Sequence, residues 1–226
     1  MKAPDLSITV VSWNRARQLE RLLAHVEGLC REVVVVDGGS DDDTAGVCRQ
    51  HARVLRVERP WDGHFARMKN ASFAAATSRW ILHLDLDERV GPRLAARLPE
   101  VCASDRVAFW RVPMLWLVSE EPARYVHSAK HHPCPVPRLF LNRPEHRYLE
   151  DQGPVHPRFP AHLTRRMRKL SGAYLLHYCL AWATPGELVA KAAEYARREP
   201  GSEATNRAYY LWWTLPHEVR PVGDLA

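Results

Sequence analysis

The chain has 226 residues, 46% of them hydrophobic, and a formal net charge of +6. This length suits one α/β domain with a full core, and the hydrophobic content excludes a disordered chain. The charge favours acidic partners, and no uninterrupted apolar run approaches the roughly 18–20 residues that span a bilayer.

The first hundred residues alternate predicted strands and helices. Residues Ser7–Ser12 alternate and are rich in β-branched side chains, which predicts a strand. Asn14 can cap a helix that Gly28 ends. The apolar residues of this helix recur at helical spacing, at Leu19, Leu22, Leu23 and Val26.

The second strand is the continuous apolar run Val33–Val36, which is typical of a parallel strand covered on both faces. The loop Asp37–Ser40 follows, and its two glycines allow the backbone to approach a ligand closely. The next predicted elements are a short helix at Thr44–His51, a strand at Val54–Val57 and a helix at about His64–Thr77.

The fourth strand, Trp80–Leu84, leads into the acidic stretch Asp85–Glu88. Two carboxylates one residue apart repel each other unless a cation lies between them. Mg2+ and Mn2+ take oxygen ligands and commonly share them with substrate phosphates. The pattern therefore predicts a metal–diphosphate site. The alternative is an acidic turn leading into a helix that Pro92 begins.

This strand and helix order implies a mainly parallel, right-handed open sheet. Ligands bind such sheets outside the carboxyl ends of the strands. Four of these ends carry polar residues, at Ser12–Asn14, Asp37–Ser40, Glu58–Asp62 and Asp85–Glu88. Their convergence predicts a polar ligand site.

The second half has fewer landmarks. An apolar run at Ala173–Tyr178 predicts a late strand, and Thr184–Glu187 is a capping box with proline at the first helical position. The aromatic run Tyr209–Trp213 has three open roles: covering the core, forming a homodimer, or touching a membrane. The basic segment Arg165–Lys169 suits anionic headgroups, a charged acceptor or a solvated turn.

Several ordered motifs resemble family 2 glycosyltransferases of the GT-A fold, and the similarity is greatest to the lipopolysaccharide-core glucosyltransferase branch. The motifs are Val11–Asn14, Val35–Thr44, Trp61–Gly63, Lys69–Ala71 and Leu84–Val90, with weaker matches at Arg138–Phe140, Val155–His156 and Leu176–Tyr178. The resemblance implies an α/β, Rossmann-like, mainly parallel sheet flanked by helices. It also implies a catalytic domain at 1–182, with a nucleotide-sugar-binding half at 1–98 and an acceptor half at 99–182. A helical extension at 183–226 is expected to pack on it.

The resemblance assigns the first two loops to the nucleotide of the donor. Asp37 would accept hydrogen bonds from the base or ribose, and Ser12 and Asn14 would line the same pocket. Many relatives carry a second acidic residue where this chain has Gly38, so the base stays open between uracil, guanine and thymine, with a UDP-sugar favoured.

Arg67 and Lys69 are candidates to neutralise the departing diphosphate. A solvated basic helix face is the alternative, and Asn70 is expected to pack or cap.

The same resemblance implies that Asp87 binds Mg2+ or Mn2+ and that Asp85 contacts the ribose, or the metal through water. His177, in the late strand, is the other candidate metal ligand, since neutral imidazole suits Mn2+. A histidine buried in the core without a metal is the alternative for His177.

Inverting transfer needs a carboxylate that deprotonates the acceptor hydroxyl. Asp151 is the first candidate for this base and Glu150 the second, by their position in the family pattern. A surface turn ending at Gly153–Pro154 is the alternative. Relatives often follow Val-His with Glu, whereas here Val155–His156 leads to Pro157.

The segment His127–Cys134 contains three histidines and a cysteine, but its spacing suits no common zinc site. A variable loop facing the acceptor is the favoured interpretation. The five cysteines are odd in number, widely spaced and lack a Cys-x-x-Cys pair, which favours reduced thiols in a cytoplasm. The first ten residues do not form a predicted signal peptide.

Together these features predict a metal-dependent inverting glycosyltransferase. It would act on a saccharide, lipid-linked or natural-product acceptor, in the cytoplasm or peripherally at the inner face of a membrane. A sugar nucleotidyltransferase is disfavoured because Trp13–Arg15 stands where a glycine-rich phosphate loop is expected. A nucleic-acid-binding module lacks a recognition motif. A catalytically silent homologue is the remaining alternative.

Overall fold

A computed structural model describes residues 3–104 and 106–223, so the last three residues of the predicted extension at 183–226 lie outside the described residues. The elements of the first half are β1 Leu6–Ser12, α1 Ala16–His25, β2 Glu32–Asp37, α2 Thr44–Arg49, β3 Val54–Glu58, α3 Phe65–Ala75, β4 Trp80–His83, β5 Glu88–Val90 and α4 Pro92–Ala103. Every strand and helix predicted for the first hundred residues is present, including the helix that Pro92 begins.

The second half continues with shorter elements. They are β6 Phe109–Ser119, β7 Arg124–Ser128, β8 Cys134–Leu141, α5 Ala161–Thr164, β9 Arg168–Lys169, β10 Leu175–His177, α6 Cys179–Trp182, α7 Pro185–Arg198, α8 Glu203–Tyr210, a 3-10 turn at Trp212–Thr214 and β11 His217–Pro221. Among the described residues, no helix combines the length and apolar character needed to cross a bilayer.

The chain folds into two compact units. Unit 1 comprises residues up to Leu86 together with Ala95–Arg111 and Pro137–Leu170. Unit 2 comprises Asp87–Leu94, Val112–Val136 and the chain from Ser171 onward. The boundaries predicted at residues 98 and 182 stay a prediction.

Unit 1 contains the predicted parallel sheet. Strand β1 pairs in parallel with β2 and β4, β2 pairs in parallel with β3, and β8 pairs with β4 in antiparallel orientation. The parallel pairs follow from the helices that return the chain between strands. Strand β2 is buried from Val33 to Asp37, as its unbroken apolar sequence predicts. The core of this unit includes the aromatic residues Phe73, Phe109 and Phe140.

The amino end of α1 differs from the prediction that Asn14 caps it. Asn14 has a positive φ of 52°, and the backbone N–H of Ala16 instead donates to Asp42 Oδ2 at 2.8 Å. The Asn14 side chain accepts from the Asp41 N–H at 2.9 Å, and its own N–H donates to Ser40 Oγ at 2.9 Å. Asn14 therefore joins the loops after β1 and β2, and the Asp42 carboxylate of the second loop accepts the Ala16 N–H in its place.

Unit 2 contains strands in the order β11-β7-β6-β10-β5, where only the β6–β10 pair is parallel. The helices α7 and α8 contribute Leu188, Ala192 and Tyr210 to its core. The capping box at Thr184 is present, with Glu187 N–H donating to Thr184 Oγ1 at 3.3 Å. Burial of Tyr210 shows that part of the aromatic run covers the core.

Candidate functional site

Asp37 lies at the carboxyl end of β2 and is fully buried. The Ser40 N–H donates to Oδ1 at 2.9 Å, and the Arg56 guanidinium donates to Oδ2 from Nε at 2.9 Å and from Nη2 at 2.6 Å. Burial by itself would raise the pKa of Asp37, but the hydrogen bonds from Ser40 and Arg56 lower it below its ordinary value. The loop after β2 therefore presents a fixed, ionised carboxylate.

The loop after β1 places a buried hydroxyl and an exposed indole next to each other in sequence. Ser12 Oγ is buried and has no hydrogen-bond partner within the described part of the chain. Trp13 is 51% exposed and stacks on Trp61, with ring centroids 6.3 Å apart. Gly38 permits this packing, since a Cβ there would lie 3.1 Å from Trp13 Cβ. No role for Trp13 was predicted from the sequence.

Asp85, just beyond β4, is held by cations. Its Oδ1 lies 2.8 Å from Lys69 Nζ and its Oδ2 lies 2.6 Å from Arg138 Nη2. Desolvation would raise the pKa of Asp85, but Arg138 and Lys69 hold it well below its usual range. The prediction did not include Arg138, although the motif Arg138–Phe140 marked its position.

His83 is a buried histidine next to Asp85, and its pKa is strongly lowered in the folded protein. It is fully buried, with Nδ1 3.1 Å from Thr9 Oγ1 and Nε2 3.5 Å from Asp85 Oδ1. Burial and the charge of Lys69 lower the pKa of His83 from 6.5 to about 3. The folded protein therefore keeps this imidazole neutral in a range where the unfolded chain protonates it.

We expect the free energy of unfolding to fall as the pH drops below 6.5, by up to about 1.4 kcal/mol per pH unit for this residue. The loss continues toward pH 3, where the folded form also takes up the proton. Urea unfolding between pH 7 and pH 4 would measure the slope, which should be shallower in His83→Gln. The exposed His162→Gln variant serves as control, and equal slopes in the two variants would contradict the assignment.

Arg67 and Lys69 do not meet at one carboxylate. Arg67 lies 3.6 Å from Asp62 and 3.9 Å from Glu150, whereas Lys69 contacts Asp85. Residues two apart on a helix point to different sides, which agrees with the contacts of these two cations to different carboxylates. Their predicted roles toward a diphosphate stay predictions.

The segment that carries Glu150 and Asp151 is hydrogen-bonded to Asn70 in the middle of α3. Asn70 accepts from the Tyr148 N–H at 2.8 Å and donates to the Tyr148 carbonyl at 2.9 Å. The same amide donates to Glu150 Oε1 at 2.8 Å. Asp151 follows as an exposed residue, 3.4 Å from Gln152 Nε2. Asn70 thus holds the segment in place, as the expectation of a packing residue implied.

In unit 2, Asp87 and His177 come together across the antiparallel pair of β5 and β10. Asp87 Oδ2 lies 3.4 Å from His177 Nε2, and the Tyr178 N–H donates to the Asp87 carbonyl at 2.8 Å. Cys179, at the start of α6, completes a group whose ligand atoms all lie within 4.8 Å of one another. No sequence signal marked Cys179, because the motif Leu176–Tyr178 ends just before it and pointed only to His177.

This donor set is compatible with a divalent metal. Neighbouring ligands of one ion lie about 3.0–3.4 Å apart when each bond is about 2.1 Å long, and the Asp87–His177 separation of 3.4 Å agrees with that spacing. In the described part of the chain, no other group of three such side chains is placed to hold a metal. The zinc hypothesis for residues 127–134 therefore gains no support. His131, in that segment, instead lies 2.9 Å from both Ser128 Oγ and the Tyr209 carbonyl.

Lys191 of α7 lies next to this group. Its Nζ donates to Cys179 Sγ at 3.2 Å and lies 5.0 Å from the ring centroid of Tyr210 and 5.7 Å from that of Tyr195. Burial raises the pKa of the Cys179 thiol, and the charge of Lys191 acts in the opposite direction. A cation thus borders the sulfur.

Comparison with known proteins gives a consistent pattern. A family model described as glycosyl transferase family 2 matches residues 7–133. The lipopolysaccharide core biosynthesis glycosyltransferase LpsC of Rhizobium meliloti is 31% identical over 112 residues, which is 47% of this chain and 41% of LpsC. The succinoglycan biosynthesis protein ExoO of the same organism is 37% identical over 107 residues, 44% of this chain and 30% of ExoO. The chain therefore spans less than half the length of these curated relatives.

Solved structures are similar over most of the chain. The mannosyltransferase PcManGT from Pyrobaculum calidifontis, solved with GDP-Man and Mn2+, covers 92% of this chain and 69% of its own, with a TM-score of 0.57 and 15% identity. TarS 1-349 of S. aureus was solved with UDP-GlcNAc. Its similarity covers 91% of this chain and 71% of the TarS chain, with a TM-score of 0.56 and 14% identity. These likenesses confirm the predicted GT-A fold.

Proposed function

This chain belongs to glycosyl transferase family 2, and on that premise we propose that it is a metal-dependent, inverting glycosyltransferase with a nucleotide-diphosphate sugar as donor. The observation that carries the proposal is the pair of buried polar groups at the carboxyl ends of β1 and β2, where parallel sheets bind ligands. It combines the ionised Asp37 with a buried hydroxyl, Ser12 Oγ, that has no partner within the described residues.

The nucleotide would be bound by unit 1. Asp37 would accept hydrogen bonds from the base or ribose, Ser12 and Asn14 would line the pocket, and the exposed face of Trp13 offers a stacking surface for the base. Asp85 would act on the donor with Lys69 and Arg138, the two cations that it orients. Similar structures were solved with GDP-Man and with UDP-GlcNAc, so the fold accepts either base. We keep a UDP-sugar as the favoured donor.

Asp87 and His177 would hold Mg2+ or Mn2+ through a carboxylate oxygen and an imidazole nitrogen. When bound, such an ion offsets the negative charge that develops on the departing nucleotide diphosphate. Arg67 and Lys69 would add fixed positive charge for the same purpose.

Asp151 would take the proton from the acceptor hydroxyl while the oxygen of that hydroxyl attacks the donor sugar. The structure favours Asp151 over Glu150 for this role because the Glu150 carboxylate already accepts from Asn70. The acceptor would be a saccharide, a lipid-linked saccharide or a natural product. The similarity to LpsC supports testing lipopolysaccharide-type acceptors first, and a peripheral position at the inner face of a membrane accompanies that choice.

Calorimetric titration with UDP-, GDP- and dTDP-sugars, in Mn2+ or Mg2+, tests the donor proposal. We expect one nucleotide to bind, and Asp37→Asn to weaken it by at least ~10-fold, the equivalent of one charge-assisted hydrogen bond. Asp5→Asn is the matched control, since Asp5 pairs with Arg31 at 2.9 Å in an exposed ion pair before β1. Absence of binding by every nucleotide in both metals would overturn the proposal.

A further inference from the structure

Cys179 places a sulfur atom beside Asp87 and His177, and sulfur is not a ligand that a hard cation such as Mg2+ uses. Mg2+ prefers oxygen ligands, whereas thiolate sulfur selects softer ions such as Zn2+ or Co2+. Cys179 is buried at the start of α6, two residues after His177. Its Sγ, a ring nitrogen of His177 and an Asp87 carboxylate oxygen can each supply one ligand from within 4.8 Å of one another.

The surroundings of this sulfur suit a ligand that carries negative charge. When a thiol binds a metal ion, the metal replaces its proton and the sulfur keeps the electron pair as thiolate. The Lys191 ammonium, 3.2 Å from Sγ, offsets that charge. The faces of Tyr210 and Tyr195 hold the ammonium in place by cation–π contact. Lys191 itself donates protons and offers no lone pair, so it cannot replace Cys179 as a ligand.

We propose that Cys179 is the third protein ligand of the metal at Asp87 and His177, and that this mixed oxygen, nitrogen and sulfur set makes the site prefer Co2+ or Zn2+ to Mg2+. The inference rests on the proposed metal role of Asp87 and His177. Asp87, His177 and Cys179 would hold the ion with three protein ligands, the number typical of catalytic rather than structural zinc sites, and it would supply charge that stabilises a substrate oxygen.

Titration of the metal-free protein with Co2+ tests the inference without any sugar transfer. Sulfur ligation gives a charge-transfer band in the near ultraviolet, separate from the weaker visible bands that report Co2+ binding. We expect wild type to show both. Cys179→Ser should lose the ultraviolet band and bind Co2+ at least ~10-fold more weakly, the smallest loss typical of changes around metal sites. Cys134→Ser, which removes a less buried thiol of the same unit, should keep the band.

Two results would overturn the inference. One is Co2+ binding without the ultraviolet band, and the other is an unchanged band in Cys179→Ser. Competition adds a second readout, because excess Mg2+ should displace Co2+ more easily from Cys179→Ser than from wild type. If the sulfur band is absent while Asp87→Asn still loses the visible bands, the inference fails and the metal role of Asp87 stands. If nucleotide-sugar binding fails in the separate calorimetric test, the donor proposal fails independently.

Discussion

Substituting Asp87 with asparagine is expected to reduce sugar transfer by at least ~100-fold, the loss of about 2.7 kcal/mol that follows removal of one charge-stabilising group. The amide removes the negative charge that faces His177 Nε2 at 3.4 Å. It leaves the Asp87 backbone carbonyl in place, and the Tyr178 N–H still donates to that carbonyl at 2.8 Å. The fold should therefore survive while the reaction does not.

Initial rates of donor hydrolysis and of transfer, measured in Mn2+ and in Mg2+, would report the change. Glu194→Gln is the matched control, since it neutralises a carboxylate of unit 2 that pairs with Arg197 at the surface. Cooperative thermal unfolding would show that both variants are folded. Wild-type rates in Asp87→Asn would remove Asp87 from the site.

Replacement of Asp151 by asparagine should abolish transfer, by about 100- to 10,000-fold if it is the general base, and spare donor binding. Asp151 is exposed on a segment that Asn70 clamps at Tyr148, so its carboxylate is reachable while its backbone is anchored. The expected pattern is a fall in kcat with an unchanged Kd for the nucleotide sugar. Calorimetry and initial rates on the same preparation would separate the two quantities.

Glu150→Gln provides the comparison for that result. Glu150 Oε1 accepts a hydrogen bond from Asn70 at 2.8 Å, and the side-chain oxygen of glutamine can accept the same bond. We therefore expect Glu150→Gln to lose less activity than Asp151→Asn. Full activity in Asp151→Asn together with inactivity in Glu150→Gln would move the base to Glu150. Activity in both variants would leave the segment without a catalytic carboxylate.

Local patterns predicted the elements of the amino-terminal half because helices and strands depend on neighbours in sequence. The unbroken apolar run Val33–Val36 forms a buried parallel strand, and in the carboxyl-terminal half Thr184 likewise caps a helix as its local pattern predicted. The Asn14 cap was wrong for the converse reason. A carboxylate 26 residues away, Asp42, satisfies the first helical N–H, and local preference at Asn14 does not encode that partner.

The order of strands and helices could be predicted from the sequence, and with it the placement of Asp37 and Asp85 at strand ends where ligands bind. This was possible because the apolar periodicity that marks each element is a local property of the chain. Only folding brings the two cations to Asp85, one of them 53 residues away on β8, and brings a sulfur and an ammonium group to Asp87 and His177. Such contacts depend on which elements pack together, and packing sums many weak interactions that no single motif records.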